Sequence, residues 1–148
     1  MKVYLAAAWG RRLEIVAVAE RLRELGVEVT SRWLTEEANM SMDSDSFAAE
    51  RAAIDLADVD AADTLVRFTD ALSEQSVDSR LVSCARMVEF GYAKKAGKRL
   101  YVCGGHQNVF DYLPEVIHVK DVYELYIRLF NDAWFFDSGN LTLEEAYE

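Results

Sequence analysis

The stretch KVYLAAAWGRRLEIVAVAERLRELGVEVTSRWL, residues 2–34, decides the fold. Its first seven residues, Lys2 to Ala8, are mostly apolar and short, as a buried strand is. Leu13, Val16, Ala17, Ala19, Leu22 and Leu25 then recur at the spacing of one helix face, and Gly26 follows where a helix is expected to stop. Residues 27–34 alternate apolar and polar, the period of a half-buried strand. Strand, helix and strand in this order predict a βαβ unit, whose two strands lie parallel with the helix packed on one face.

Outward from this unit the same rhythm continues. Residues 46–62 read as a second amphipathic helix, 63–68 as a third strand, 84–96 as a helix stopped by Gly97, and 99–103 as a fourth strand. A short fifth strand falls around Val116–Val119, and a last helix runs from Val122 to about Phe136. Interleaved strands and helices predict an α/β protein, a flavodoxin- or Rossmann-like three-layer sandwich around a roughly five-stranded parallel sheet. Residues 1–136 are expected to form a single domain, followed by an acidic tail over 137–148. The loops 35–45 and 69–82 are polar and long for a compact α/β domain, a property shared with lids.

Composition narrows the functions open to such a domain. With 148 residues and 51% hydrophobic content, the chain can bury a sizeable core. A formal charge of −10 and a pI near 4.7 argue against a nucleic-acid groove, because polyanion binding needs a basic stripe. Cys84 and Cys103 make neither a disulfide framework nor a zinc spacing, and His106 and His118 are not at ligand spacing, so no metal is expected. The turn AAAWGRR after the first strand lacks both GxGxxG and a phosphate loop, and no other cofactor is implied. The start reads as a strand rather than a signal peptide, and no apolar run approaches the ~20 residues of a membrane span. The expectation is a soluble, cytoplasmic protein that works on a small molecule and engages neither nucleic acid nor membrane.

In open α/β sheets ligands bind beyond the carboxyl ends of the strands. The first strand delivers Trp9, Gly10, Arg11 and Arg12 there, the third delivers residues 69–82, and the fourth delivers GGHQN, residues 104–108. The helix leading into the fourth strand carries an anomaly. Glu89 stands among Met87, Val88, Phe90, Ala93 and Ala96 on an otherwise apolar pattern. Burying an unpaired carboxylate is costly, so such a residue is paired, hydrogen-bonded or catalytic, unless it points outward at the helix rim or pairs with Arg86.

Four blocks of the chain, in order over residues 3–118, resemble the nucleoside 2-deoxyribosyltransferase family. The first strand holds Tyr4, then small residues and the aromatic Trp9. A helix carries Asp55 and Leu56, with Asp63 eight residues after the first aspartate. The segment SCARMVEFGYAKKAGKRLYV, residues 83–102, is similar to a family helix reading approximately SGGRHVEFGYA, then GK and an apolar strand. Asn108 lies in QNVFDYLP, similar to a family segment ENVFxxLP.

The resemblance implies chemistry at an N-glycosidic bond. Glu89 would be the nucleophile that forms a covalent 2-deoxyribosyl-enzyme, resolved by a second base or by water. Asp55 would protonate or hydrogen-bond the leaving base, Tyr4 would orient Glu89, and Trp9 would pack against the base. Asn108 would complete the site of a neighbouring subunit, so a homodimer or larger homo-oligomer is implied. Ser83, six residues before Glu89, matches nucleotide hydrolases of the superfamily, whereas transferases of free nucleosides carry aspartate there, which favours a 5′-monophosphate. The first-loop serine and arginine of those hydrolases are Ala8 and Gly10 here, leaving Arg11, Arg12 or Arg86 as cations for a phosphate. Three readings remain open: a transferase, a 2′-deoxynucleoside 5′-monophosphate N-glycosidase, and a nucleotide-binding module without turnover. A cysteine enzyme built on Cys84 would want an arginine six residues on, where Phe90 stands.

Overall fold

A computed structural model describes residues 1–35, 45–69 and 84–137. In chain order the elements are β1 (Lys2–Ala6), α1 (Arg12–Glu24), β2 (Glu28–Val29), α2 (Asp45–Ala61), β3 (Thr64–Phe68), α3 (Ala85–Lys95), β4 (Arg99–Cys103), β5 (Val116–Val119) and α4 (Val122–Asp137). Short 3₁₀ turns occupy Trp9–Arg11, Arg32–Thr35 and Val109–Tyr112. The strands form one all-parallel sheet in the order β2-β1-β3-β4-β5. This is the α/β sandwich the sequence pattern predicts. The chain leaves β1 toward β2 and returns past it to β3, so the crevice for a ligand opens at the carboxyl ends of β1 and β3.

Two strands differ from expectation. The strand predicted over residues 27–34 shrinks to Glu28–Val29. Thr30 still donates its N–H to the Val3 carbonyl at 2.9 Å, but side chains then replace the ladder. Ser31 Oγ accepts the Leu5 N–H at 2.6 Å, and the Trp33 indole N–H donates to the Leu5 carbonyl at 2.8 Å. With its edge satisfied in this way, the chain curls into the 3₁₀ turn and buries Trp33 and Leu34. The first strand ends at Ala6 rather than Ala8, because pairing with β3 stops at Ala6 opposite Arg67.

The core is layered by these periodicities. Ile15, Val18, Ala19 and Leu22 of α1, and Leu125, Leu129 and Ala133 of α4, bury the apolar stripes of their helices. On the other face α2 packs against α3, which buries Arg86, Glu89, Phe90 and Ala93. One glycine is sterically required near the crevice. Gly104 has φ 113°, and a Cβ there would come within 2.1 Å of Thr69 Oγ1, so β4 exits tightly beside the end of β3. No helix among the described residues is long and apolar enough to cross a membrane.

Candidate active site

Strand alternation selects which side chains reach the crevice face. Parallel register sets Tyr4 opposite Leu65 and Ala6 opposite Arg67, so Tyr4 and Arg67 point to the side covered by α3. The buried stripe of α3 recurs at Arg86, Glu89, Phe90 and Ala93, the i, i+3, i+4, i+7 pattern of one helix face. Glu89 therefore faces the sheet, 9% exposed, and the fully buried Tyr4 donates its hydroxyl to Glu89 Oε1 at 2.7 Å.

Burial dominates the electrostatics of this pair. Loss of solvation pushes the Glu89 carboxyl up to about 7; the Tyr4 hydrogen bond opposes the shift, and the nearby Asp55 carboxylate adds to it. Burial first, then the charge of Glu89, raises the Tyr4 phenol far above its ordinary range. Tyr4 thus stays a hydroxyl donor at any physiological pH, while Glu89 passes between acid and carboxylate near neutrality.

Asp55 approaches from α2, near enough to influence both Tyr4 and Glu89. Burial raises its pKa, against the opposing charge of Arg51, whose Nη2 lies 3.9 Å from Oδ1. That buried Oδ1 makes no hydrogen bond among the described residues. The acidic run of α2 divides by role. Asp58 is buried and accepts the Arg32 backbone N–H at 2.9 Å and its Nε at 2.7 Å. Asp60 is exposed and accepts the Tyr92 hydroxyl at 2.9 Å. Asp63 lies at the opposite end of the sheet, where it accepts the Lys2 N–H at 2.9 Å.

Trp9 stands at the carboxyl end of β1, 45% exposed, with its ring 6.1 Å from that of Trp33 and the Arg12 guanidinium 5.8 Å from its centre. Arg11 is committed elsewhere: it pairs with Glu14 at 2.6 Å and donates to the Thr69 carbonyl at 2.9 Å, tying the first loop to the end of β3. Arg86 is buried in the first turn of α3, and the observed partner of Glu89 is Tyr4. Asn108 caps the turn Val109–Tyr112, accepting the Phe110 N–H at 2.9 Å, and its Nδ2 lies 3.6 Å from Met87 Sδ. Ser83 lies outside the described residues, as do most of the two predicted long loops and all but the first residue of the acidic tail.

Sequence reasoning passed over two charged residues at this face, Arg67 and Asp111. Both are fully buried, and they pair at 2.5 Å between Nη2 and Oδ1. Arg67 also lies 4.7 Å from the centre of the Phe90 ring and 3.3 Å from Met87 Sδ. Asp111 accepts the N–H of Gln107 at 2.7 Å and of Asn108 at 3.3 Å, which holds its carboxyl below the usual range despite its burial. The signal was present: Arg67 interrupts the apolar strand TLVRF as Glu89 interrupts its helix. His106 and His118 stack 4.0 Å apart, yet no cluster suited to a metal ion occurs among the described residues.

No protein-family model matches the sequence, and no curated protein matches it. Solved structures do match. A 2-deoxyribosyltransferase from Bacillus psychrosaccharolyticus superposes with a TM-score of 0.63 at 19% identity, covering 85% of this chain and 90% of that one. The chain has the 2-deoxyribosyltransferase fold. The CMP N-glycosidase of Clostridium botulinum shares that fold, with a TM-score of 0.54 at 20% identity over 87% of this chain and 98% of its own. In the 2-deoxyribosyltransferase fold of this chain, Tyr4, Asp55 and Glu89 converge from β1, α2 and α3, whereas Asn108 caps its own turn.

Proposed function

We propose that the protein breaks or exchanges the N-glycosidic bond of a 2′-deoxynucleoside or its 5′-monophosphate, with Glu89 as nucleophile. The observation that carries this reading is the buried Tyr4–Glu89 pair, in which a carboxyl near pKa 7 is oriented by a phenol that stays protonated. Two of the structures that share the fold, a 2-deoxyribosyltransferase and a CMP N-glycosidase, support chemistry at an N-glycosidic bond.

In the proposed reaction Tyr4 holds Glu89 Oε1, and the Oε2 oxygen bonds to the anomeric carbon as the carbon–nitrogen bond breaks. The bond's electron pair goes to the base, which takes a proton from Asp55, a carboxyl that burial raises above its ordinary range. Water or a second base then attacks the anomeric carbon, Glu89 departs as carboxylate, and Asp55 recovers its proton from the attacking group. Trp9 packs on the base. Arg86 and Asn108 bind the sugar end, Asn108 within a homodimer or larger assembly. The hydrolase on 5′-monophosphates is the second reading, favoured by the serine at position 83, six residues before Glu89, which the resemblance links to nucleotide hydrolases.

A panel of deoxynucleosides and their 5′-monophosphates, each with and without a free acceptor base and followed by chromatography, tests this. Exchange only with acceptor marks a transferase, and free base from monophosphates alone marks a hydrolase. Binding without base release from any member refutes the enzyme and leaves a nucleotide-binding module.

A further inference from the structure

Arg67 and Asp111 have no part in the proposed bond-breaking, yet they form a fully buried ion pair above the crevice face of the sheet. Such a pair is a poor source of stability, because desolvating two charges offsets most of their attraction. Its connections suggest another use. Arg67 leaves β3 and touches Met87 and Phe90, residues on either side of Glu89 in α3. Asp111 closes the turn after β4 by accepting the N–H groups of Gln107 and Asn108. Met87 Sδ sits between the two halves, 3.3 Å from Arg67 Nη1 and 3.6 Å from Asn108 Nδ2. On the far side of the turn, His118 Nε2 lies 2.5 Å from the Asp111 carbonyl oxygen.

We propose that Arg67 and Asp111 are positioning residues that lock the Gln107–Tyr112 turn, and with it Asn108, against the helix that presents Glu89. The inference rests on the reading of Asn108 as a substrate-binding residue. One guanidinium makes three different contacts at once, to a carboxylate, a sulfur and an aromatic face. A lysine ammonium has neither the fork nor the plane to reproduce them. The pair therefore sets the distance between the turn and α3, and the turn sets where the Asn108 amide stands.

The test uses the double variant Arg67→Met with Asp111→Asn in the full-length protein. It removes both charges together, leaves no unpaired buried ion, and keeps an acceptor for the two N–H groups, so the fold should survive with Tm within about 5 °C. The expected result is a KM raised on the order of tenfold with kcat within about twofold, the pattern of a lost binding contact. Adding Asn108→Ala should then cost little more, since the two changes act through one group. An unchanged KM, or losses that multiply with Asn108→Ala, overturns the proposal. A second readout needs no activity: hydrogen exchange at the Gln107 and Asn108 amides should speed up about tenfold in the double variant. Unchanged exchange also overturns the clamp. A wild-type protein that releases no base from any substrate refutes the proposed function instead, while the exchange measurement still decides whether the clamp exists.

Discussion

Glu89 and Asp111 are both buried carboxylates above the same face of the sheet, but their surroundings differ. Asp111 pairs with a buried guanidinium and accepts two backbone N–H groups, and it is held below the usual carboxylate range. Glu89 accepts a single hydrogen bond among the described residues, from a neutral phenol, and burial pushes it up to about 7. Asp111 is compensated as a structural charge must be. Glu89 is buried with one of its oxygens engaged among the described residues, a setting that suits the nucleophile proposed above. Burial alone does not set how a carboxyl ionises; the number and charge of its partners do.

The largest effect that would break this contrast is on turnover. Glu89→Ala should lower base release by at least about 10³-fold while leaving the circular dichroism spectrum intact. Substantial residual turnover would move the nucleophile elsewhere. Asp111→Ala should act first on the fold, costing about 3–5 kcal/mol of stability by stranding the Arg67 charge, measured by urea unfolding. Asp55→Asn should slow release of poor leaving bases on the order of 10²-fold, and activated bases much less. An equal loss for every base would remove Asp55 as the acid.

Two smaller effects sharpen the same contrast through pH. The folded state holds the Glu89 proton up to about pH 7, against an ordinary value of 4.5. It binds more protons than the unfolded chain between those limits, so this residue's contribution to stability falls as pH rises through that window. Glu89→Gln should thus raise stability on the order of 1–3 kcal/mol at pH 8 and not at pH 4, a difference read by thermal unfolding at the two pH values. Tyr4→Phe removes an interaction that lowers the Glu89 pKa, so the acid limb of kcat/KM should move to higher pH. A limb that stays in place would mean that Tyr4 does not act on the ionisation of Glu89.

Periodicity carried most of the fold. The fourth strand, predicted over 99–103, is observed at Arg99–Cys103, and the last helix begins at Val122 in both readings, because their apolar patterns are long and bounded by turn residues. The second strand was overread because an alternating pattern cannot report that Ser31 and Trp33 side chains take over the backbone pairing of Leu5. At the site, Glu89 was visible as a charge on an apolar helix face, and Arg67 offered the same signal within a strand. Their partners were not visible locally. Tyr4 and Glu89 lie 85 residues apart and Arg67 and Asp111 lie 44 apart, separations at which no local pattern links two side chains. Only the family resemblance tied Tyr4 to Glu89, and nothing in it drew attention to Arg67.

The most direct test of the central claim is mass spectrometry of the protein quenched during turnover of a 2′-deoxynucleoside or its 5′-monophosphate, followed by peptide mapping. The account predicts a deoxyribosyl adduct, or its 5′-phosphate, on the peptide containing Glu89, formed by wild-type protein and absent from Glu89→Gln. Base release at the wild-type rate by Glu89→Gln, or an adduct mapped to another side chain, would contradict it.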